Sequence, residues 1–125
     1  MSKKDKLKYI LLESENKNND VYISENVISL TVAIATLEVD GVVELSGNIT
    51  SEIIEKLGIN HINKGIKIKF KENNDIIVVI SLVVRKDVKV HKVVAKIEEK
   101  VGNLIKNMLG LKVDKFYINV TDVYI

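Results

Sequence analysis

Residues Val88–Gly110, VKVHKVVAKIEEKVGNLIKNMLG, repeat apolar side chains at the spacing of one helix face. The apolar stripe comprises Val90, Val93, Val94, Ile97, Val101, Leu104, Ile105 and Met108. Steps of three and four residues predict an amphipathic helix, and this width is typical of a helix packed on a sheet rather than in a two-position zipper. Gly110 follows the stripe, where a left-handed glycine would cap the helix.

Strand patterns lie on both sides of this helix. Before it, residues 66–71 alternate apolar side chains with lysines, residues 73–75 predict a turn, and Ile76–Val84 predicts a strand that is apolar on both faces. After it, Lys115–Ile125 alternates again, and a bulge is expected at Asp122, which would otherwise fall on the apolar face. The long helix is therefore expected to connect a β-hairpin to a closing strand.

The N-terminal half predicts a strand, a helix, a second strand and a short helix. Ser24 and Thr50 are suited to cap the two helices, and Asp40-Gly41 predicts the turn that ends the first. The four ranges are Val21–Ile23, Glu25–Val39, Val42–Ser46 and Thr50–Leu57. The whole pattern predicts an α+β fold: a small mixed β-sheet with two main helices packed on one face, in the order β-α-β-(short α)-β-β-α-β. Residues 1–20 are expected to form a flexible N-terminal tail, in which Tyr9–Leu12 either frays or docks on the domain or on a partner, and residues 21–125 a single domain.

The composition excludes several classes of protein. A chain of 125 residues with 46% hydrophobic and 29% charged residues is typical of one globular domain. Because it has no cysteine, it has no disulfide framework and no thiol chemistry, which is compatible with a cytoplasmic location. The formal charge of +2 argues against nucleic-acid binding driven by composition alone. The longest uncharged run, Asn26–Leu37, is too short to span a bilayer, so no direct membrane span is expected.

No residue pattern points to catalysis. The two histidines, His61 and His91, are expected in a loop and on an exposed helix face, and neither has the neighbours of a metal site. Glu98 and Glu99 are adjacent on a helix and so point in different directions. No glycine-rich phosphate loop occurs, and the aromatic residues form no stacking platform among the lysines. We therefore expect a protein that is not an enzyme, with no catalytic residue, cofactor or metal.

Two apolar surfaces exceed what a small monomer needs. The first predicted helix has a main face of Val27, Leu30, Thr31, Ile34 and Leu37. Its second strip, Ile28, Val32 and Ala35, is expected to meet either another part of the chain or another molecule. The far face of the apolar strand carries Ile77, Val79 and Val83 and also needs a cover. These six residues are the candidate partner interface.

Lysines form two further patterns. Lys67, Lys69 and Lys71 lie on one strand face, where edge lysines commonly deter mispairing. Lys89, Lys92, Lys96 and Lys100 fall along one flank of the long helix, continued by Asn103 and Asn107. That flank is either a solvated surface with extended lysine stems or a candidate basic surface for an acidic partner, an anionic membrane surface or nucleic acid.

The motifs, taken in order, resemble those of the alkaline shock protein family of bacterial envelope-stress proteins, most of all its YloU-like branch. The matching stretches are Ile23–Ile28, Glu38–Val42, Leu57-Gly58, Lys64–Ile68, Met108–Val113, Asn119-Val120 and Asp122–Tyr124. Three positions depart from the family pattern. Arg85-Lys86-Asp87 replaces a usual Tyr-Gly, Leu109 stands for a common Thr, and Glu98 for a frequent Gln. The resemblance implies a small cytoplasmic protein without catalytic residues, which in some members is tied to the membrane through a separate membrane-spanning partner.

The expected function is that of a cytoplasmic interaction or scaffold protein of the alkaline shock family. It would serve cell-envelope homeostasis or a stress response through protein partners and self-association. The expected partners are further copies of the chain, forming a homo-oligomer, or a membrane-anchored protein. The alternative is a nucleic-acid or anionic-surface binding module that uses the basic flank of the long helix.

Overall fold

Six strands and three α-helices make up the computed structural model, which describes residues 9–12, 20–57 and 62–125. The elements in chain order are β1 (Tyr9–Leu12), β2 (Val21–Ser24), α1 (Glu25–Leu37), β3 (Val42–Leu45), α2 (Ser51–Leu57), β4 (Ile66–Phe70), β5 (Ile76–Arg85), α3 (Val90–Leu104), a π-helical segment (Ile105–Leu109) and β6 (Val113–Tyr124). Both predicted caps are confirmed, since the Ser24 and Thr50 hydroxyls accept hydrogen bonds from the Val27 and Ile53 amides at 3.2 and 3.3 Å.

Strand β5 is the centre of the main sheet. Along one edge it pairs antiparallel with β4 over its first half and with β3 over its second half. Along the other edge β6 runs parallel to it for its full length. The expected bulge in β6 is confirmed at Thr121, because Leu82 pairs with Val120 and the next residue, Val83, pairs with Asp122. The mixed sheet with helices on one side confirms the α+β fold.

Alternate side chains of β5 face the helices and form the floor of the core. Ile76, Val78, Ile80 and Leu82 are each 0% exposed, whereas Ile77, Val79 and Ser81 between them are half-buried. The inner set packs with residues of α1 and α3 in one hydrophobic cluster. The period of two in side-chain direction thus gives the sheet an inner and an outer face.

The two apolar strips of α1 are reversed relative to the prediction. Ile28, Val32 and Ala35 are 0%, 0% and 1% exposed, whereas Val27 and Ile34 are 42% and 44% exposed. Ile28, Val32 and Ala35 therefore belong to the core of this chain, and their assignment to a partner interface is wrong. An additional polar residue, Thr36, is also buried on that side. The fold accommodates it because its hydroxyl donates to the Val32 carbonyl at 2.7 Å.

The long helix is confirmed over most of its predicted length. Ile97, Val101 and Ile105 are fully buried, and Gly110 ends the helix in the left-handed conformation with φ 68°. Met108 was expected in the stripe but is 53% exposed, and Leu109 is buried in its place. The π-helical segment explains the change, because its wider turns shift the residues after Ile105 around the helix axis.

The N-terminal region forms a small sheet of its own. Tyr9–Leu12 pairs antiparallel with Val21–Ser24, and Ile10 is 3% exposed and belongs to the core. The expectation of a flexible tail is therefore wrong for residues 9–12. Residues 1–8 and 13–19 lie outside the described residues, as do Gly58 of the Leu57-Gly58 motif and His61 of the predicted loop.

Candidate protein-binding surfaces

The first candidate surface is the outer sheet face, made by the side chains of β5 that point away from the helices. Strand register places Ile77 between Lys69 of β4 and Lys115 of β6. It places Val79 between Lys67 and Tyr117 in the same way. Neither Ile77 nor Val79 packs against the core cluster. The centre of this face is therefore apolar, and its two sides carry lysines.

Tyr117 extends the apolar centre across β6. Its side chain is 48% exposed, and the Lys115 ammonium lies 4.9 Å from the centroid of its ring. This is a cation–π contact, which orients both side chains on the exposed face of β6. An exposed tyrosine beside two aliphatic side chains is typical of the centre of a protein interface.

A polar bridge divides the predicted apolar row. Asn119 Nδ2 donates to Ser81 Oγ at 3.2 Å, and the hydroxyls of Ser46 and Thr121 are 2.6 Å apart. Val83 lies beyond Ser81 and is only 9% exposed. Of the three predicted residues on this face, Ile77 and Val79 therefore share one patch, and Val83 is separated from them.

The lysine row on β4 ends in an ion pair. Lys71 Nζ donates a hydrogen bond to Asp114 Oδ2 at 2.8 Å, at the start of β6. This hydrogen bond, together with the attraction of the opposite charges, raises the pKa of Lys71 and lowers the pKa of Asp114. Lys67 and Lys69, by contrast, make no ion pair with any residue that the structure describes.

The second candidate surface is a groove between the C-terminal end of α1 and one flank of α3, here called the α1–α3 groove. Its volume is ≈ 1050 Å³. It gathers all four lysines of the predicted basic surface, Lys89, Lys92, Lys96 and Lys100, with the two asparagines that continue their flank, Asn103 and Asn107. The end of α1 and the connection from β5 to α3 complete it with Glu38, Val39, Asp40, Arg85, Asp87 and Val88.

The floor of the groove is apolar. Val39 and Val93 are 8% and 6% exposed, and Val88 and Leu104 are half-buried beside them. At Gly41 the backbone lies close to the Val88 side chain of this floor. This glycine has φ +98°, and a Cβ there would lie 2.9 Å from Cγ1 of Val88. The α1–α3 groove thus combines an apolar base with charged walls.

Two acidic residues of the groove form ion pairs with basic residues. Lys100 Nζ lies 2.6 Å from Glu38 Oε2, and Arg85 Nη1 lies 3.5 Å from Asp40 Oδ1. Sequence reasoning missed Glu38, Asp40 and Arg85, because each pair joins residues at least 45 positions apart. No local pattern reports such a contact.

Three lysines of the groove remain without such a partner. Lys89, Lys92 and Lys96 form no ion pair with any other residue in the described ranges. They follow one another at three and four residues, a spacing at which like charges cost about 0.2–0.5 kcal/mol per pair. The charged lining of the groove also includes Asp87 and Glu99.

The start of α3 adds to the positive potential. Lys89 is its N-cap, makes no capping hydrogen bond through its side chain, and is followed by no acidic residue in the first turn. The N-terminal end of a helix carries a partial positive charge, which an acidic residue would normally offset. Helix α1, by contrast, is capped by the Ser24 side chain and has the acidic Glu25 in its first turn. The positive end of α3 therefore has no acidic residue in its first turn, and the nearest carboxylate along the chain before it is that of Asp87, two residues before the N-cap.

Neither surface has the composition of a metal site. Within residues 9–12, 20–57 and 62–125, no cluster of three or more His, Asp or Glu side chains could hold a metal ion. His91 is exposed on α3, as expected. No described helix has both the length and the apolar character needed to cross a membrane.

Comparison with known proteins identifies the family. A model of the alkaline shock protein 23 (ASP23) family, described as having a cell envelope-related function, matches residues 13–125. The chain is also 32% identical over 104 residues to the protein named "Uncharacterized protein YqhY" of Bacillus subtilis (strain 168), covering 82% of this chain and 76% of that protein. No solved structure matches the chain. The family expected from the sequence motifs is thus confirmed: the chain belongs to the alkaline shock protein 23 family and has a cell envelope-related function.

Proposed function

We propose that this protein is a non-catalytic docking protein, located in the cytoplasm and tied to the cell envelope through a membrane-anchored protein partner. The cell envelope-related function of its family supports the setting. The observation that carries the proposal is the outer sheet face, where Ile77, Val79 and Tyr117 form an apolar centre among lysines. A docking protein needs such a surface on a rigid element, and β5 is the most fully paired strand of the sheet.

The chemistry of the outer sheet face supports a particular kind of partner. Protein interfaces that form and dissociate have an apolar, often aromatic centre and a polar rim. Here the rim is cationic, since Lys67, Lys69 and Lys115 flank the centre. A partner with acidic side chains around an apolar patch would complement it. Two copies placed face to face would oppose their lysines, so a different protein is favoured over a second copy.

The alternative function, binding of nucleic acid or an anionic surface by the long helix, is less well supported. The α1–α3 groove contains four carboxylate residues beside its five basic ones. No aromatic side chain is among its described lining residues, although base stacking on aromatic rings is a common part of single-strand recognition. A groove of mixed charge suits a protein ligand better than a polyanion.

The test compares two glutamate substitutions in an affinity purification from detergent-solubilised membranes of the protein's own cells. Val79→Glu places a carboxylate in the centre of the outer sheet face, opposite Lys67, where an opposite-charge pair helps to preserve the fold. Ile34→Glu is the control, because Ile34 is a similarly apolar but 44% exposed residue on α1. Thermal unfolding of both variants verifies that each is folded.

The expected result is stoichiometric recovery of an integral membrane protein with the wild type and with Ile34→Glu, and its loss with Val79→Glu. Equal recovery with a folded Val79→Glu variant would overturn the assignment of the surface. Sedimentation velocity of the purified protein tests whether the chain self-associates. Self-association that Val79→Glu abolishes would identify a second copy as the occupant and overturn the choice of partner.

A further inference from the structure

We infer that the α1–α3 groove is a second docking site, which binds an acidic segment of a protein. The outer sheet face is on the opposite side of the sheet from the helices that form this groove, so both sites can be occupied together. The inference goes beyond the proposed function and does not depend on it. It rests on the shape of the groove, on its unpaired lysines and on the way its own acidic residues are bound.

The shape of the groove fits a polypeptide segment. It follows α3 from Lys89 to Asn107, which corresponds to about 25 Å of helix length. A helical segment of about 16 residues, or an extended one of about eight, spans that distance. The floor of Val39, Val88 and Val93 offers apolar contacts below the charged wall. Because the site is a concave groove, a flat membrane surface would not reach this floor.

The lysines define the charge of the ligand. Lys89, Lys92 and Lys96 line one wall about one helical turn apart and have no ion-pair partner among the described residues. Aspartate or glutamate residues three or four positions apart on a ligand helix would match this spacing. Carboxylates brought there would relieve the repulsion between the lysines. The uncapped, positive start of α3 adds to the same attraction.

The groove's own carboxylates do not cancel this preference. Glu38 is bound by Lys100 at 2.6 Å, and Asp40 is in contact with Arg85 at 3.5 Å. Both acids are therefore neutralised locally at the α1 side. The other two carboxylates of the lining, Asp87 and Glu99, reduce the positive charge of the three unpaired lysines but leave an excess of one. A ligand with apolar residues on one side and acidic residues on the other would contact the floor and the wall at once.

The test is a selection from a peptide-display library, randomised at every position and about 16 residues long to match the groove. The full-length wild-type protein is the bait, and the enriched peptides are sequenced and then measured one by one by fluorescence anisotropy. The variant Lys92→Glu/Lys96→Glu reverses two charges of the lysine wall. The matched control, Lys56→Glu/Lys106→Glu, makes the same change in net charge at exposed lysines outside the groove lining.

The inference predicts enriched peptides that are net acidic, with apolar residues between the acidic ones. Their affinity should fall about tenfold or more with Lys92→Glu/Lys96→Glu and change little with the control pair. Val79→Glu should leave this binding intact, which separates a failure here from a failure of the proposed function. Absence of acidic enrichment, or equal binding by both double variants, would overturn the inference. Binding of phosphatidylglycerol vesicles or single-stranded RNA, with no binding of acidic peptides, would do the same.

Discussion

Lys100 Nζ donates a hydrogen bond of 2.6 Å to Oε2 of Glu38 and so joins the middle of α3 to the C-cap of α1. The two residues are 62 positions apart in the sequence. Their side chains are 41% and 57% exposed, so the pair lies at the surface and not in the core. This contact lies in the lining of the α1–α3 groove and pairs one of its four lysines.

Glu38→Gln is expected to alter binding more than stability. An exposed ion pair contributes less than about 1 kcal/mol to the free energy of unfolding, so urea denaturation should change only slightly. Removing the carboxylate releases Lys100 into the groove and should tighten the binding of acidic peptides. The control is Glu98→Gln, which makes the same charge change at an exposed residue outside the groove lining. Equal affinities of the two variants would count against the role of the Lys100–Glu38 pair.

Val32→Glu is expected to unfold the protein, and Ile34→Glu is not. Val32 is 0% exposed, so a carboxylate there would be buried without a partner and should lower the free energy of unfolding by about 3 kcal/mol or more. Ile34, two residues along the same helix, is 44% exposed, and its replacement should cost about 0.5 kcal/mol or less. Circular dichroism and urea denaturation of the two proteins check both values. A folded Val32→Glu protein would contradict the burial of this strip.

The buried side of helix α1 could not be predicted from the sequence. A continuous apolar run fixes that α1 is a helix and that much of it is buried, but it does not choose between two apolar strips. Thr31 and Thr36 are equally uninformative, because each hydroxyl bonds to a carbonyl four residues earlier, whichever side faces the core. In α3 the charged residues confine the apolar side chains to one stripe, so its core face was predictable from Val93 to Ile105, although Val90, at the start of the predicted stripe, is 41% exposed.

The candidate surfaces were predictable to different extents. The basic surface predicted on α3 depends only on helical spacing, and the structure brings its four lysines into one groove. Its acidic partners come from α1, and the sequence holds no signal for a contact between Glu38 and Lys100. The apolar outer sheet face was likewise inferred from β5 alone. Its division by Ser81 and Asn119 arises from the parallel pairing with β6.

Two glycines should respond in opposite directions to replacement by alanine. Nothing lies within 4 Å of a Cβ built on Gly102, and glycine within a helix costs about 1 kcal/mol relative to alanine. Gly102→Ala should therefore raise the free energy of unfolding by up to about 1 kcal/mol. A Cβ on Gly65 would lie 2.7 Å from Leu45 Cβ and 3.3 Å from the Ser46 carbonyl oxygen.

Gly65→Ala should accordingly destabilise the protein, by about 1–3 kcal/mol as overpacked sites do. Urea denaturation of both alanine variants beside the wild type measures the two changes. Destabilisation by Gly102→Ala would indicate that another surface, absent from the single chain, approaches α3 closely at this position. Unchanged stability of Gly65→Ala would contradict the close packing of the β3 and β4 ends.

The Lys71–Asp114 ion pair should make stability depend on pH in the acid range. The hydrogen bond from Lys71 lowers the pKa of Asp114 in the folded protein, so the pair stabilises the fold above the unfolded pKa of the aspartate. That contribution is lost as the pH falls through the lowered, folded-state pKa. The raised pKa of Lys71 acts at the other end of the scale, where its contribution is present below the unfolded lysine pKa and is lost only in strong alkali.

Asp114→Asn removes the charge and keeps the shape, so it isolates this effect. The wild type should be more stable than the variant at neutral pH, and the difference should disappear at an acid pH low enough to protonate the carboxyl group in both the folded and the unfolded state. Because both side chains are about 40% exposed, salt should reduce the difference as well. Glu72→Gln, at an exposed neighbour of Lys71, is the control and should show neither dependence. A stability difference that is the same at both pH values would mean that Asp114 stabilises the start of β6 by its shape and not by its charge.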